Sequence, residues 1–323
     1  MIEKYLSLAI SSIFAWFSAQ RGLLPPSLID GHKYRLKIFE SHEATDSASR
    51  LPTIEYESIH GLRTFAEQHQ QSLELGYSRA QFIKVTRVPG AVFTRLDKLR
   101  LGGRLSYDSA TQELVIRLIP STGHERSHGL LMRHIERKLS ALGVSEYEMD
   151  PLGASTIWGD FTCKQANSSL RPLPQRSDES DAPTLVIECG TSKNKSELQE
   201  DAIWWLTGIH PPVNIVILIF MDLRPRTIKI EVWKMQPRPA DERSPRCRIA
   251  HPTHPAAVSK VKLRPLDNEN TYHASRDLRL SFRDIMLRDP PVGGNEIVFS
   301  TEELERWAKR IYDQIHPRWM PYG

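Results

Sequence analysis

The sequence has few cysteines and no long apolar run. Among 323 residues there are three cysteines, Cys163, Cys189 and Cys247, an odd number without disulfide or zinc-site spacing. This usage predicts an intracellular protein of the cytoplasm or nucleus. The apolar residues 5–17 are too short to span a bilayer and lack a good cleavage site, so secretion is not expected. We predict an amphipathic or packing helix there, ended by Pro25 and Pro26.

Strong charge of one sign is also missing. The chain has 43 Lys and Arg against 39 Asp and Glu, a net charge of +4, which does not by itself indicate nucleic acid. The distribution is uneven, because residues 222–264 contain 11 basic and 4 acidic side chains, a local charge of +7. Such a run is more often a solvated face, but it can also contact phosphates. Nucleic acid is therefore a candidate partner through this segment.

Composition is otherwise that of an ordinary globular protein, with 40% hydrophobic and 25% charged residues. No internal repeat or phosphate-binding glycine loop is present. We treat residues 1–100 as an N-terminal, partly helical extension of unknown role and residues 101–323 as the core. Periodicity predicts in the core a hairpin (104–108 and 113–119), a helix ended by Gly143 and a buried strand (185–187). A helix (196–206) with Ser196 and Gln199 as its capping box, a central strand (214–220), an alternating strand (227–233) and a strand (258–263) are predicted next. The last predicted element is a helix capped by residues 300–303, with Leu304, Trp307, Ala308 and Ile311 on one face.

Polar residues at three places along these elements are candidates for a functional site. Glu125 lies in the first turn of the first core helix, Lys164 and Asn167 precede a polar loop, and Glu188 ends an apolar strand. A carboxylate at the rim of an apolar sheet costs several kcal/mol unless a cation, a metal or hydrogen-bond donors compensate it. Glu188 therefore marks either a site that handles metal or phosphate or a glutamate satisfied at a strand end.

Six segments are distinctive, namely residues 122–125 (Thr-Gly-His-Glu), 164–172, 183–192, 198–206, 278–288 and 296–300. Together they resemble a group of fungal restriction-endonuclease-like proteins of the PD-(D/E)XK superfamily. The resemblance extends over about residues 100–315 and implies a mixed β-sheet core flanked by helices. No single motif in it is stringent, and the order and spacing of the segments carry it.

In active members of that superfamily, acidic residues on two strands bind Mg²⁺, a lysine polarises the attacking water and a helix glutamate completes the site. By position the resemblance implies Glu125 as the helix acid and Glu188 as the second strand acid. The first strand acid falls on Asn167, and the lysine position falls on Gly190. Asn167 still offers a carbonyl oxygen to Mg²⁺, but the site loses one negative charge. The candidates to replace the lysine are Lys193, Lys195 and Lys164.

Three functions therefore compete. A Mg²⁺-dependent nuclease would use Glu125, Glu188 and a relocated lysine. An inactive nuclease fold would serve as a binding or scaffold module. A recruited metal-free pocket would act on a small molecule with His124 and Glu125 as an acid–base pair. The basic segment favours the first two. Trp204 and Trp205 are expected in the core, and a metal site at His251 and His254 is not favoured.

Overall fold

Two mixed β-sheets form the centre of the molecule. The computed structural model describes residues 52–74, 77–78, 80–99, 101, 103–118, 122–222, 224–237, 253–266, 271–291 and 293–313. All of these lie in one compact unit of the chain, Ile38–Gly323. The helix predicted at residues 5–17, its proline stop, Cys247 and His251 lie outside the described residues. None of the helices in the described part is long and apolar enough to cross a membrane.

The first sheet has six strands in the order β1-β2-β4-β3-β7-β6. The pair β1/β2 is parallel and the other pairs are antiparallel. Its strands are β1 (Thr53–Glu55), β2 (Phe82–Thr86), β3 (Gly103–Asp108), β4 (Glu113–Leu118), β6 (Thr156–Trp158) and β7 (Thr162–Gln165), and helices α1 (Ile59–Glu74) and α2 (Gly90–Lys98) lie between them in sequence.

The second sheet has seven strands in the order β13-β12-β11-β10-β9-β8-β5. Only β9 and β10 pair in parallel. The strands are β5 (Met149–Pro151), β8 (Ser168–Pro172), β9 (Leu185–Gly190), β10 (Ile215–Asp222), β11 (Thr227–Pro237), β12 (Thr253–Leu266) and β13 (Thr271–Ala274), and a separate antiparallel pair is formed by β14 (Leu278–Ser281) and β15 (Glu296–Phe299).

Helices cover both faces of the second sheet. They are α3 (Thr122–Ala141), α4 (Lys195–Thr207), the short α5 (Phe282–Met286) and α6 (Thr301–Tyr312). Leu185, Ile187 and Cys189 of β9 belong to the core formed with α3 and α6, whereas Val186 packs with α4. Because β9 and β10 are buried on both faces, their sequences are continuous apolar runs rather than alternating ones. Glu188 therefore faces α4.

The predicted α/β class, with mixed sheets flanked by helices, is confirmed and is consistent with a restriction-endonuclease-like core. The hairpin β3/β4, the central strand β10 and the hairpin β10/β11 form as predicted. Helix α3 ends before Gly143, which has a φ of 87° that glycine adopts without strain. The division at residue 100 stays a prediction, and β2 pairs with β4 across that position.

One predicted boundary is wrong. We expected Ser196 and Gln199 to cap the helix after β9, but α4 begins at Lys195 with Asn194 as the preceding residue. A 3-10 turn, Ser192–Asn194, leads into it. The reason is tertiary, because Ser192 Oγ donates to Asp222 and the Asn194 amide donates to Gln81 Oε1 at 2.6 Å. These contacts hold the turn and start the helix before Ser196.

Candidate functional site

Strand alternation brings a buried arginine to the junction of the two sheets. Leu114, Ile116 and Leu118 of β4 point into the core of the first sheet, and Arg117 points the other way. Opposite it, Glu188 is directed from β9 towards α4. Both side chains are almost completely buried, at 5% and 1% exposure. The junction therefore contains a desolvated ion pair.

The guanidinium of Arg117 contacts three polar groups at once. Its Nη2 donates to Glu188 Oε2 in a short hydrogen bond and to Asn167 Oδ1 at 2.9 Å. Its Nη1 donates to Asp201 Oδ2 of α4 at 3.3 Å. The Phe82 ring lies beneath it, 6.0 Å from Cζ to the ring centroid. Arg117 thus lies at the centre of the site for which the sequence analysis proposed Asn167 and Glu188.

The oxygen atoms of Glu188 and Asn167 are already engaged. Glu188 Oε1 accepts from Trp205 Nε1 at 2.8 Å, and Oε2 accepts from Arg117. Asn167 Oδ1 accepts from Arg117 and from the Cys189 backbone N–H, both at 2.9 Å. Burial raises the pKa of the Glu188 carboxyl, and the charge of Arg117 opposes that rise. The buried charge of each side chain is therefore compensated only while the other is present.

A second cation completes the cluster. Lys164 Nζ contacts Asp201 Oδ1, and the same ammonium lies 5.4 Å from the centroid of the Trp204 ring. Two cations, Arg117 and Lys164, are thus combined with two carboxylates, Glu188 and Asp201. Of the three lysines proposed from the sequence, Lys164 joins this cluster. The other two, Lys193 and Lys195, have exposed side chains, and Lys195 Nζ lies 4.0 Å from Glu231.

Glu125 lies beside this cluster at the start of α3. Arg104 Nη2 donates to Glu125 Oε1 at 3.1 Å, and His128 Nε2 lies 3.2 Å from Oε2. The contact with His128 lowers the pKa of Glu125 to about 2, against the opposing effect of burial. The other ring nitrogen of His128 lies 2.8 Å from Ser168 Oγ. Glu125 is therefore an ionised carboxylate, with its side chain 47% exposed.

His124 lies in the same turn but is buried. Burial lowers its pKa to about 3, and the neighbouring His128 and Arg117 act in the same direction. His124 is therefore a neutral imidazole at pH 7. The histidine within ion-pair distance of Glu125 is His128 rather than His124. The acid–base pair of His124 with Glu125 therefore stays a prediction from the sequence.

These contacts do not fit a resident Mg²⁺. A hard divalent cation needs several free oxygen ligands, yet the Glu188 oxygens and Asn167 Oδ1 already accept hydrogen bonds from buried donors. The positive charge at the centre is supplied by Arg117. Among the described residues, no three His, Cys, Asp or Glu side chains are grouped so as to hold a metal. Magnesium binding stays a prediction, and the positions of these donors argue against it.

Sequence reasoning missed Arg104, Arg117, His128 and Asp201. One signal was available, since Arg117 interrupts an otherwise apolar strand. Asp201 carried no local signal, because its role depends on the packing of α4 against the first sheet. Trp205 is buried in the core as expected and Trp204 is half-buried, with Nε1 donating to Thr162 Oγ1 at 2.7 Å.

Comparison with known proteins gives limited information. No family model matches the chain. No curated protein matches it either. One solved structure with similarity is described as "a putative nuclease belonging to DUF820" from Anabaena variabilis, at 12% identity, with 42% of this chain and 81% of that one covered and a TM-score of 0.30. That TM-score is too low for any conclusion about the fold or activity of this chain.

Proposed function

We propose that this protein binds nucleic acid and that the centre around Arg117 is a structural ion network rather than a magnesium-dependent hydrolytic site. The observation that carries the proposal is a basic face on strands β11 and β12. It consists of Lys229, Lys260, Lys262 and Arg264, and we call these four residues the basic face.

Register places these side chains on one side of the sheet. Lys229 is paired with Lys262, and Glu231 is paired with Lys260. The intervening residues, among them Ile230 and Val261, point into the core below α6. All four side chains of the basic face are exposed, with Lys260 at 61%. Four of the basic side chains that the structure describes in residues 222–264 are therefore exposed together on one side of the sheet.

The charge of this face is not balanced within it. Lys229 stands directly opposite Lys262, and like charges opposite each other in a sheet are destabilising. Glu231 is 8% exposed and lies 3.9 Å from Lys260 and 4.0 Å from Lys195, so a single covered acid faces several cations. A chain of phosphates would supply the missing negative charge.

Hydrolysis at the Arg117 centre is the competing hypothesis. The two carboxylates and two cations there already neutralise one another, and the charge pattern leaves no excess negative charge to attract a divalent cation. A scaffold role without nucleic acid would leave the basic face without a partner. Binding without hydrolysis accounts for both observations.

The test is fluorescence anisotropy with labelled oligonucleotides over a range of salt concentrations. We expect log K to fall linearly with log salt for the wild type, and the double variant Lys260→Gln/Lys262→Gln to reduce the magnitude of that slope by about two. The control is Arg306→Gln/Lys309→Gln, which removes the same charge from α6, on the opposite face of the sheet. We expect this control to leave the slope unchanged.

Two results would contradict the proposal. Equal effects of both double variants would show a diffuse charge effect, and absence of binding by the wild type at low salt would remove nucleic acid as the partner. A plasmid-nicking assay with Mg²⁺ or Mn²⁺ on wild type and Glu188→Ala tests the competing hypothesis. Nicking that disappears in Glu188→Ala, while urea unfolding shows the variant to be folded, would establish a nuclease in which Asn167 is tolerated.

A further inference from the structure

Two aromatic side chains are exposed on one hairpin at the edge of the first sheet. Trp158 ends the edge strand β6 and is 55% exposed, and Phe161 lies in the turn before β7 and is 67% exposed. Exposing large rings forgoes the favourable removal of apolar surface from water. Two such rings, one at the end of β6 and one in the turn that follows it, indicate a surface that contacts a partner.

The hairpin is held in place rather than loose. The Phe161 carbonyl accepts from the backbone and the hydroxyl of Ser109, at 2.9 and 2.8 Å. Gly159 N donates to the Thr162 carbonyl at 2.7 Å, and a Cβ on Gly159 would lie 2.4 Å from the Gly208 carbonyl oxygen. The Phe93 ring packs against Trp158 in a T-shaped arrangement, with 5.7 Å between ring centroids and 83° between ring planes. The indole is therefore oriented before any ligand arrives, which lowers the entropic cost of stacking.

Trp158 forms one wall of a cleft of about 850 Å³. This volume lies in the usual range for ligand sites. The same cleft is lined by the Glu125 and Arg104 ion pair described above. Asp97 Oδ1 accepts from Thr156 and from Gln165, at 2.5 and 2.7 Å, within the same cleft.

The chemistry of the cleft suits a nucleobase better than a phosphate. The carboxylates of Asp97 and Glu125 repel phosphates. An ionised carboxylate has about four lone-pair sites, so beside the bonds from Thr156, Gln165 and Arg104 these two can still accept from exocyclic amines, as acidic side chains do with cytosine N4. The indole provides a face for stacking. Arg104 uses Nε for the Ala166 carbonyl and Nη2 for Glu125, and its remaining Nη1 would donate to a base carbonyl or ring nitrogen. A paired base inside a duplex cannot offer its face to an indole, whereas an unpaired base can.

We propose that the cleft takes an unpaired nucleobase stacked on Trp158, with Phe161 as an adjoining stacking surface, so that the nucleic acid bound is single-stranded. This inference rests on the proposed function and adds the class of its partner. The basic face provides affinity that does not depend on strandedness, and the Trp158 cleft provides the preference for single strands.

The experiment compares single-stranded and duplex oligonucleotides of roughly 15 nucleotides by anisotropy at one salt concentration. We expect Trp158→Ala to weaken single-strand binding about tenfold, Trp158→Phe to retain most of it, and duplex binding to change little. The matched control is Tyr147→Ala, which removes an aromatic ring that is 83% exposed outside the cleft. Urea unfolding verifies that each variant is folded.

The outcomes separate the two proposals. Binding by the wild type that is equal for both strand forms, or that is unaffected by Trp158→Ala, would overturn the cleft assignment and leave the basic face intact. Self-association that falls in Trp158→Ala, with oligonucleotide affinity unchanged, would also overturn it, because the rings would then be a contact between copies. Failure of the wild type to bind either oligonucleotide would remove the proposed function and this inference together.

Discussion

At the scale of single residues, the energetics of the centre depend on Arg117. A buried ion pair adds little net stability compared with apolar packing, but removal of one partner leaves an uncompensated buried charge. Arg117 is shared among Glu188, Asp201 and Asn167, so its loss would affect all three.

The first prediction concerns this pair. Arg117→Met and Glu188→Leu should each lower the free energy of unfolding by about 3–5 kcal/mol, because each leaves the other charge buried and unpaired. The double variant should be clearly more stable than the sum of the two losses implies. Urea unfolding of the four proteins gives the coupling. Additive losses would show that the two side chains do not form the pair described.

A second residue-scale prediction follows from His124. Its pKa of about 3 in the folded protein lies below the unfolded value of about 6.5. Between these two pH values the unfolded state binds more protons, so stability should fall as the pH drops below about 6.5, by up to about 1.4 kcal/mol per pH unit. His124→Gln should remove this part of the slope in urea unfolding from about pH 7.5 to about pH 5.

The control for that measurement is His60→Gln, at an exposed histidine of α1. Its pH profile should follow the wild type. A His124→Gln profile that also follows the wild type would show that His124 does not titrate in this way.

At the scale of elements, caps and apolar periodicity were readable from the sequence where both lie within one helix. Helix α6 has the predicted capping box of Ser300 and Glu303, and Leu304, Trp307 and Ile311 are buried as expected. The start of α4 was missed because the preceding turn is held by Gln81 and Asp222, which are distant in sequence. The same limit explains Arg117, whose hydrogen-bond partners lie on β9, on α4 and at Asn167 between β7 and β8.

The α6 cap gives the third prediction. Ser300 Oγ accepts from Glu303 N at 3.3 Å, and Glu303 Oε2 accepts from Ser300 N at 2.9 Å. Ser300→Ala should lower the free energy of unfolding by about 1 kcal/mol, and Ser300→Asp should retain most of it, since Asp is an equally good N-cap. Chemical denaturation measures both. Equal loss in the two variants would show that the side-chain oxygen at this position does not stabilise the start of α6.

At the scale of the whole molecule, the sequence indicated the architecture better than the chemistry. The α/β class followed from the order of apolar strands and helices. The candidate site residues Glu125, Asn167 and Glu188 do lie near the junction of the sheets. What fills that junction depends on which charges the fold brings together. Arg117 and Asp201 are 84 residues apart in sequence, and their pairing has no local pattern.

The fourth prediction tests the junction through the stability of the whole chain. A cation that binds only the folded state adds about 2.7 kcal/mol at 100 times its Kd. Because Arg117 already provides the positive charge, millimolar Mg²⁺ or Mn²⁺ should leave the unfolding free energy of the wild type equal to that in KCl of the same ionic strength. Arg117→Met should instead be stabilised by Mn²⁺, because it leaves the carboxylates of Glu188 and Asp201 facing each other without the guanidinium. A Mg²⁺-dependent gain in the unfolding free energy of the wild type that disappears in Glu188→Ala would contradict this interpretation. The metal would then displace the guanidinium, and the hydrolytic hypothesis would again have a site.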